Sequence, residues 1–141
     1  MATAYGGRSP AQFYALVFGV VYLLVGIVGF AWTGFDDFAK DRYDEEILGI
    51  FSVNPLHNIV HVAIGGLLIW GSKSHQTAKS VNLIVGVAFT LVFILGMVEA
   101  LQWLAIEDAG APNNYLHLAT AALSLYFGTV GAEGAKATPT T

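Results

Sequence analysis

The sequence predicts an all-α integral membrane protein, an up-down bundle of four transmembrane helices built from two parallel-repeat hairpins. Three observations predict this fold class. Of the 141 residues, 55% are hydrophobic and only 11% are charged, which is under half of the roughly 25% usual in soluble domains. Four long segments are almost free of charged side chains, and the two halves of the chain resemble each other.

The four apolar segments predict helices at 11–33, 54–72, 80–105 and 114–131. A helix needs about 20 residues to cross roughly 30 Å of hydrocarbon, with a range of about 17–25. Transmembrane strands are excluded because the segments are too long and four strands close no barrel. The helices form one domain at 11–131 with an outer loop at 35–53, a cytoplasmic N-terminal segment at 1–10 and a mobile cytoplasmic tail at 132–141.

The charged residues divide between the two sides of this domain. The N-terminal segment, the middle loop and the tail carry Lys or Arg, whereas the two outer loops are mainly acidic. The basic set is Arg8, Lys73, Lys79 and Lys136; the acidic set is Asp36, Asp37, Asp41, Asp44, Glu45, Glu46, Glu107 and Asp108, with Lys40 and Arg42 as exceptions. Because loops rich in Lys and Arg stay in the cytoplasm, both termini are predicted to be cytoplasmic.

The first and third predicted helices carry glycines at matching positions. Gly19 and Gly29 correspond to Gly86 and Gly96 at a constant offset. Both hairpins enter the membrane from the same side, so the repeat is parallel, related by an axis along the membrane normal. Small residues at these positions allow helices to approach closely.

The second and fourth predicted helices each open with an Asn-x-x-His motif. The motif is Asn54-Pro-Leu-His57 in one and Asn114-Tyr-Leu-His117 in the other. Asparagine is a preferred N-cap, so Asn54 and Asn114 are predicted to be structural caps. The same register puts His57 and His117 at the third helical position of their helices.

Two polar layers are predicted beneath the outer surface. His61 follows His57 by four residues, so it lies on the same helix face one turn deeper. Glu99 would lie about 9 Å from the outer end of the third helix, counted at 1.5 Å per residue. The outer layer then holds His57, His117 and Gln102, and the deeper layer holds His61 and Glu99.

This polar cluster leaves three interpretations open. The first is a structural clip, in which asparagine and histidine hydrogen-bond between helices. The second is a metal or haem site formed by His57, His61 and His117, with Glu99 as a further metal ligand. The third is a proton relay that uses Glu99, because an ionisable residue inside a membrane suggests function.

The segments N-P-L-H-N-I-V-H-V-A-I-G at 54–65 and P-N-N-Y-L-H-L at 112–118 resemble the hallmarks of a bacterial membrane-protein family. It is the domain-of-unknown-function family four-three-eight-three. V25-G-I-V-G-F and L48-G-I-F also resemble it, and the likeness covers about 13–130. It implies four helices with paired histidine-bearing helices in the bacterial plasma membrane, and no activity. Family members often have Asp where this chain has Asn113, and Glu99 is not a hallmark.

No nucleophile elbow, phosphate-binding loop, zinc-protease helix or nucleotide fingerprint occurs in the sequence. Without cysteine there is no thiolate site, and six basic residues leave no stripe for nucleic acid. We therefore expect a non-catalytic membrane protein that contacts the lipid bilayer and whose cofactor, if any, is a metal ion or haem. The alternatives are an accessory subunit of a respiratory, photosynthetic or transport complex, and a proton-linked transport component that uses Glu99.

Overall fold

The computed structural model describes residues 7–40, 46–106 and 108–132, and most of them are helical. The helices are α1 (Pro10–Thr33), α2 (Pro55–Gly71), α3 (His75–Met97) and α4 (Pro112–Gly128). Between α1 and α2 lies an antiparallel hairpin of β1 (Glu46–Ile47) and β2 (Phe51–Ser52), and between α3 and α4 a short 3-10 turn (Gln102–Leu104). The acidic residues at 41–45, Glu107 and the predicted tail beyond 132 fall outside the described residues.

Each of the first three helices begins at a polar cap. Ser9 and Gln12 form a capping box, in which each side chain accepts a hydrogen bond from the backbone N–H of the other residue. At the start of α2, Asn54 Oδ1 accepts from the backbone N–H of His57 at 2.8 Å. The Ser74 side chain caps α3. These bonds satisfy N–H groups that have no partner within their own helix.

Helix α1 packs antiparallel along α2, and α3 packs in the same way along α4. A Cβ on Gly19 would lie 2.8 Å from the backbone nitrogen of Ile69, and a Cβ on Gly86 would lie 2.8 Å from that of Leu125. Only glycine fits such a close backbone approach, so the matching glycines predicted from the sequence do bring paired helices together.

Hydroxyl groups join α1 to α4 across the interior. The Tyr14 hydroxyl hydrogen-bonds to Ser124 Oγ at 2.6 Å, and the Tyr22 hydroxyl hydrogen-bonds to Thr120 Oγ1 at 2.7 Å. Because position 14 meets 124 while 22 meets 120, α1 and α4 are antiparallel, and α2 and α4 therefore point the same way.

Two of the described helices, α1 and α3, are long and apolar enough to cross a membrane, and only 33% of each apolar stretch is buried inside the protein. The other two predicted spans, 54–72 and 114–131, correspond to α2 and α4, which have 17 residues each. The surfaces of α1 and α3 expose valine, leucine, isoleucine and phenylalanine side chains.

The third helix ends at Met97 and not at the predicted 105. The backbone N–H of Ala100 donates to the carbonyl of Leu95, and that of Glu99 donates to Gly96. Glu99 has a φ of 58°. These are the features of a Schellman motif with Glu99 in the left-handed position after the helix. Glycine usually occupies that position, so the sequence carried no stop signal there.

Candidate histidine site

Three buried histidines converge where α2 and α4 begin. His57 is the third residue of α2, His61 lies one turn further along, and His117 is the sixth residue of α4. Their side chains are 5%, 7% and 3% exposed, respectively. The fourth histidine, His75, lies at the start of α3, where its ring contacts Ser9.

The three imidazoles are close enough to share one ion. The ring centres of His57 and His61 are 4.5 Å apart, and those of His57 and His117 are 6.0 Å apart. One ring nitrogen from each histidine lies within 4.8 Å of the other two. The structure therefore brings these three predicted site residues together.

Each histidine buries a ring nitrogen that has no hydrogen-bond partner. The unpaired atom is Nδ1 in His57, His61 and His117 alike. Because a neutral imidazole has one N–H and one lone-pair nitrogen, each of these rings retains a nitrogen that can act as a metal ligand.

Two aromatic side chains form the inner wall of the site. The ring of Tyr22 meets that of His61 edge-on at 5.1 Å, and the ring of Phe89 lies 5.3 Å from that of His117. Tyr22 and Phe89 also contact each other at 5.4 Å. The histidines are therefore held by packing on the side away from the loops.

Small cavities adjoin the imidazoles. One of about 50 Å³ touches all three histidines together with Phe89 and Leu104. Another of about 150 Å³ also touches all three and extends beneath the β1–β2 hairpin. Space for a small molecule therefore exists against the imidazole rings, on faces that are almost entirely carbon.

Asn54 caps α2 as predicted, and its Nδ2 also donates to the carbonyls of Trp103 at 2.8 Å and Lys40 at 3.2 Å. The prediction that Asn114 caps α4 is wrong. Ala111 holds the cap position because Pro112 is the first helical residue, and proline favours that position. The Asn114 side chain instead donates to the carbonyl of Asp108 at 2.9 Å.

Two buried asparagines lie against glycines of the paired helix. Asn58 Oδ1 occupies the space that a Cβ on Gly29 would fill, and Asn114 Oδ1 does the same at Gly96. Neither oxygen has an N–H or O–H donor, so each faces a glycine Cα–H, a weak hydrogen-bond donor. Asn58 was not predicted as a contact residue, although the Asn58-Ile-Val-His61 spacing repeats that of Asn114 and His117.

Asn113 was also missed as a positioning residue. It is 4% exposed, and its Nδ2 donates to the carbonyl of Ser52 at 2.8 Å. This bond fastens the hairpin to α4 above the histidines. Its position beside Pro112, in the first turn of a helix, was the available signal.

Glu99 does not form the predicted deeper layer with His61. It follows the end of α3 and is exposed. Its carboxylate is not part of the histidine cluster that could hold an ion. Gln102 lies in the 3-10 turn and is half-buried. The two-layer arrangement was wrong because it assumed that α3 continues to 105.

The comparisons with known proteins identify a family without an assigned activity. A family model described as a domain of unknown function (DUF4383) matches residues 12–130. No curated protein and no solved structure matches the chain.

Proposed function

Because this chain belongs to the DUF4383 family, whose function is unknown, we propose its role from the site: it is a non-catalytic, multi-pass membrane protein that binds one transition-metal ion through His57, His61 and His117. The observation that carries the proposal is the set of three buried, unpaired Nδ1 atoms on adjoining rings. Neutral imidazole is the commonest metal ligand in proteins.

The unpaired nitrogens favour an ion over a structural clip. A clip would give each imidazole a hydrogen-bond partner on a neighbouring helix, yet Nδ1 has none in any of the three. A buried polar atom left unsatisfied costs about 1–3 kcal/mol. A bound ion that accepts the lone pair of such a nitrogen removes this cost for that ring.

The donor set supports zinc or copper. Three imidazoles suit either metal and leave a fourth coordination position open. Cysteine is absent from the sequence, so no thiolate competes. Haem fits less well, because the cavities that touch all three histidines measure about 50 and 150 Å³, below the roughly 300–1,000 Å³ of typical cofactor pockets.

The apolar surfaces of α1 and α3 support membrane insertion. Two thirds of their apolar stretches are not buried inside the protein, and a soluble protein rarely exposes a large contiguous apolar area. The antiparallel contacts of α1 with α2 and α4, and of α3 with α4, fit an up-down bundle of four spans. Arg8 and Lys73 lie at the end away from the histidines, so the positive-inside rule puts the site near the outer face.

Matching contacts in the two hairpins support a parallel repeat. Gly29 with Asn58 corresponds to Gly96 with Asn114, and Tyr22 against His61 corresponds to Phe89 against His117. In this register His117 is the counterpart of His61, one turn later than the sequence-based pairing with His57. His57 then breaks the symmetry and supplies a third ligand.

The test is metal uptake by the purified protein. We expect the wild type, after exposure to zinc or copper and exhaustive dialysis, to retain about one ion per chain by elemental analysis. Replacing His57, His61 or His117 by alanine should lower this at least tenfold, since each variant loses one of three ligands.

His75→Ala is the matched control, because this histidine lies outside the cluster, and its metal content should equal that of the wild type. Absence of retained metal in the wild type, or equal retention by His117→Ala, would contradict the proposal.

A further inference from the structure

Asn113 leaves one half of its buried amide without a partner. Its side chain is 4% exposed, and its Nδ2 donates to the carbonyls of Ser52 at 2.8 Å and Ala105 at 3.4 Å. Its Oδ1 is buried and accepts no hydrogen bond. Turning the amide over would bring Oδ1 against two carbonyl oxygens, so these two bonds determine which amide atom is unpaired. A buried carbonyl oxygen is therefore available to a ligand.

The repeat makes Asn113 the counterpart of His57. Asn58 lies against a glycine of α1 in the same way as Asn114 lies against a glycine of α3. The residues that precede these two asparagines, His57 and Asn113, therefore occupy matching positions. One of the two shorter helices carries an imidazole at this position, and the other carries an amide.

This correspondence brings two donor residues from each helix to one place. Residues four apart share a helix face. In α2, the ring centres of His57 and His61 are 4.5 Å apart, and the matching pair in α4 is Asn113 and His117. The contact of His57 with His117, whose ring centres are 6.0 Å apart, has Asn113 with His61 as its counterpart.

The polar atoms of these four residues lie inside the protein. All four side chains border the cavity beneath the hairpin, and the wall of that cavity is almost entirely carbon. Their nitrogen and oxygen atoms are therefore turned away from the cavity. Four of these atoms are buried without a hydrogen-bond partner, namely Nδ1 of His57, His61 and His117 and Oδ1 of Asn113.

We infer that Asn113 is the fourth ligand of the ion, through Oδ1, and that it closes the site. The inference rests on the proposed function for the ion itself. Three imidazoles and one carbonyl oxygen complete the four-coordinate arrangement that zinc adopts in structural sites, and zinc accepts oxygen as well as nitrogen ligands. Since the set contains a hard oxygen and no sulfur, it selects zinc over Cu(I). A closed site also has no position for a substrate, in keeping with a non-catalytic role.

The first experiment ranks zinc affinities by competition with a chromophoric chelator, with the whole chain in lipid nanodiscs. Asn113→Ala removes the ligand and should weaken zinc binding at least tenfold. Asn113→Asp offers a charged oxygen in the same place and should strengthen it at least tenfold. Both variants lose the Nδ2 that bonds to Ser52, so a residue that only fastens the hairpin would weaken zinc binding in both.

Asn114→Asp is the matched control. Asn114 is the neighbouring buried asparagine of α4, and its Nδ2 also donates to loop carbonyls, but its Oδ1 faces Gly96. A carboxylate at that position should not strengthen zinc binding. Equal strengthening by Asn113→Asp and Asn114→Asp would be a general effect of negative charge and would overturn the inference.

The second experiment tests whether the fourth position is occupied. Co(II) replaces zinc, and its visible absorption spectrum is recorded before and after azide is added. The wild-type spectrum should stay unchanged, because Asn113 holds the position that azide would take. In Asn113→Ala the vacated position should bind azide and alter the spectrum. The same response in both proteins, whether present or absent, overturns the inference.

The outcomes separate the inference from the proposed function. Failure of the wild type to retain zinc overturns the proposed function and, with it, the role of Asn113. Retained zinc with an Asn113→Ala affinity within twofold of the wild type overturns the inference alone and leaves the three-histidine site standing.

Discussion

His61 lies one turn deeper along α2 than His57. Its imidazole illustrates how an unpaired ring nitrogen affects the stability of the protein. Its Nδ1 has no partner, and its ring is packed against Tyr22 and His57. Such an arrangement costs stability in the empty protein, and the cost is offset when a ligand uses the lone pair.

His61→Leu should therefore separate stability from binding. Leucine removes the unpaired nitrogen and keeps an apolar contact with Tyr22. The free energy of unfolding of the metal-free variant should therefore equal or exceed that of the wild type. Zinc at 100 times its dissociation constant should stabilise the wild type by about 2.7 kcal/mol and leave the variant unchanged. Denaturant titration with and without zinc measures both effects, and a metal-free loss above about 1 kcal/mol would contradict the expected cost.

Local chemistry decided which single residues could be predicted. Asn54 was recognisable as a cap because Pro55 follows it and an apolar run begins there. Glu99 was misjudged because its left-handed backbone, with a φ of 58°, replaces the glycine that usually ends a helix. A glutamate side chain gives no sequence signal for a left-handed backbone conformation.

Within each helical hairpin, a glycine of the longer helix receives an asparagine of the shorter one. Gly29 lies against Asn58, and Gly96 lies against Asn114. The asparagine Oδ1 fills the space where the glycine lacks a side chain. Each contact therefore fixes the position of one helix along its partner.

Gly96→Ala and Gly29→Ala should each destabilise the protein. The new Cβ would overlap the asparagine Oδ1, and overpacking of this kind costs about 1–3 kcal/mol. Gly66→Ala is the matched control, because it lies within α2, is exposed and has open space around it. That variant should gain up to about 1 kcal/mol from the better helix former. Equal effects of all three substitutions on denaturant unfolding would refute the contact.

The correspondence between the two helical hairpins was only partly predictable from the sequence. The matching glycines were visible, but Asn54-x-x-His57 and Asn58-x-x-His61 both fit the motif of the fourth helix. Sequence alone cannot choose between two alignments one helical turn apart. The choice depends on which asparagine faces a glycine, and this is a property of helix packing.

Across the whole molecule, the ends of the four helices define two sides. The histidines, the hairpin and the 3-10 turn lie at one end, and Lys73 with the start of α3 lies at the other. The proposed orientation puts the first end outside the cell and the second in the cytoplasm.

Cysteine labelling tests this orientation. The sequence has no cysteine, so Ala39→Cys and Lys73→Cys each introduce a single thiol at an exposed position. In intact cells a membrane-impermeant maleimide should label Ala39→Cys and should label Lys73→Cys only after lysis. The unsubstituted protein is the blank, and the reverse pattern would invert the topology.

The mainly helical fold with four helices was predictable at this scale, because four apolar segments in the sequence are separated by charged loops. The convergence of the imidazoles was inferred from the repeat. The short hairpin of β1 and β2 was not predicted, because strands of two residues are too short to show an alternating hydrophobic pattern.

The unequal lengths of the helices bear on the membrane that suits this protein. At 1.5 Å per residue, α1 with 24 residues is about 36 Å long, whereas α2 and α4 with 17 residues are about 26 Å long. All four helices therefore overlap over a depth below the average hydrocarbon thickness of about 30 Å. In a thicker bilayer, the hydrocarbon layer beside α2 and α4 would have to thin locally, or the bundle would have to oligomerise. In the proposed arrangement of four spans, hydrophobic mismatch favours a thin bilayer.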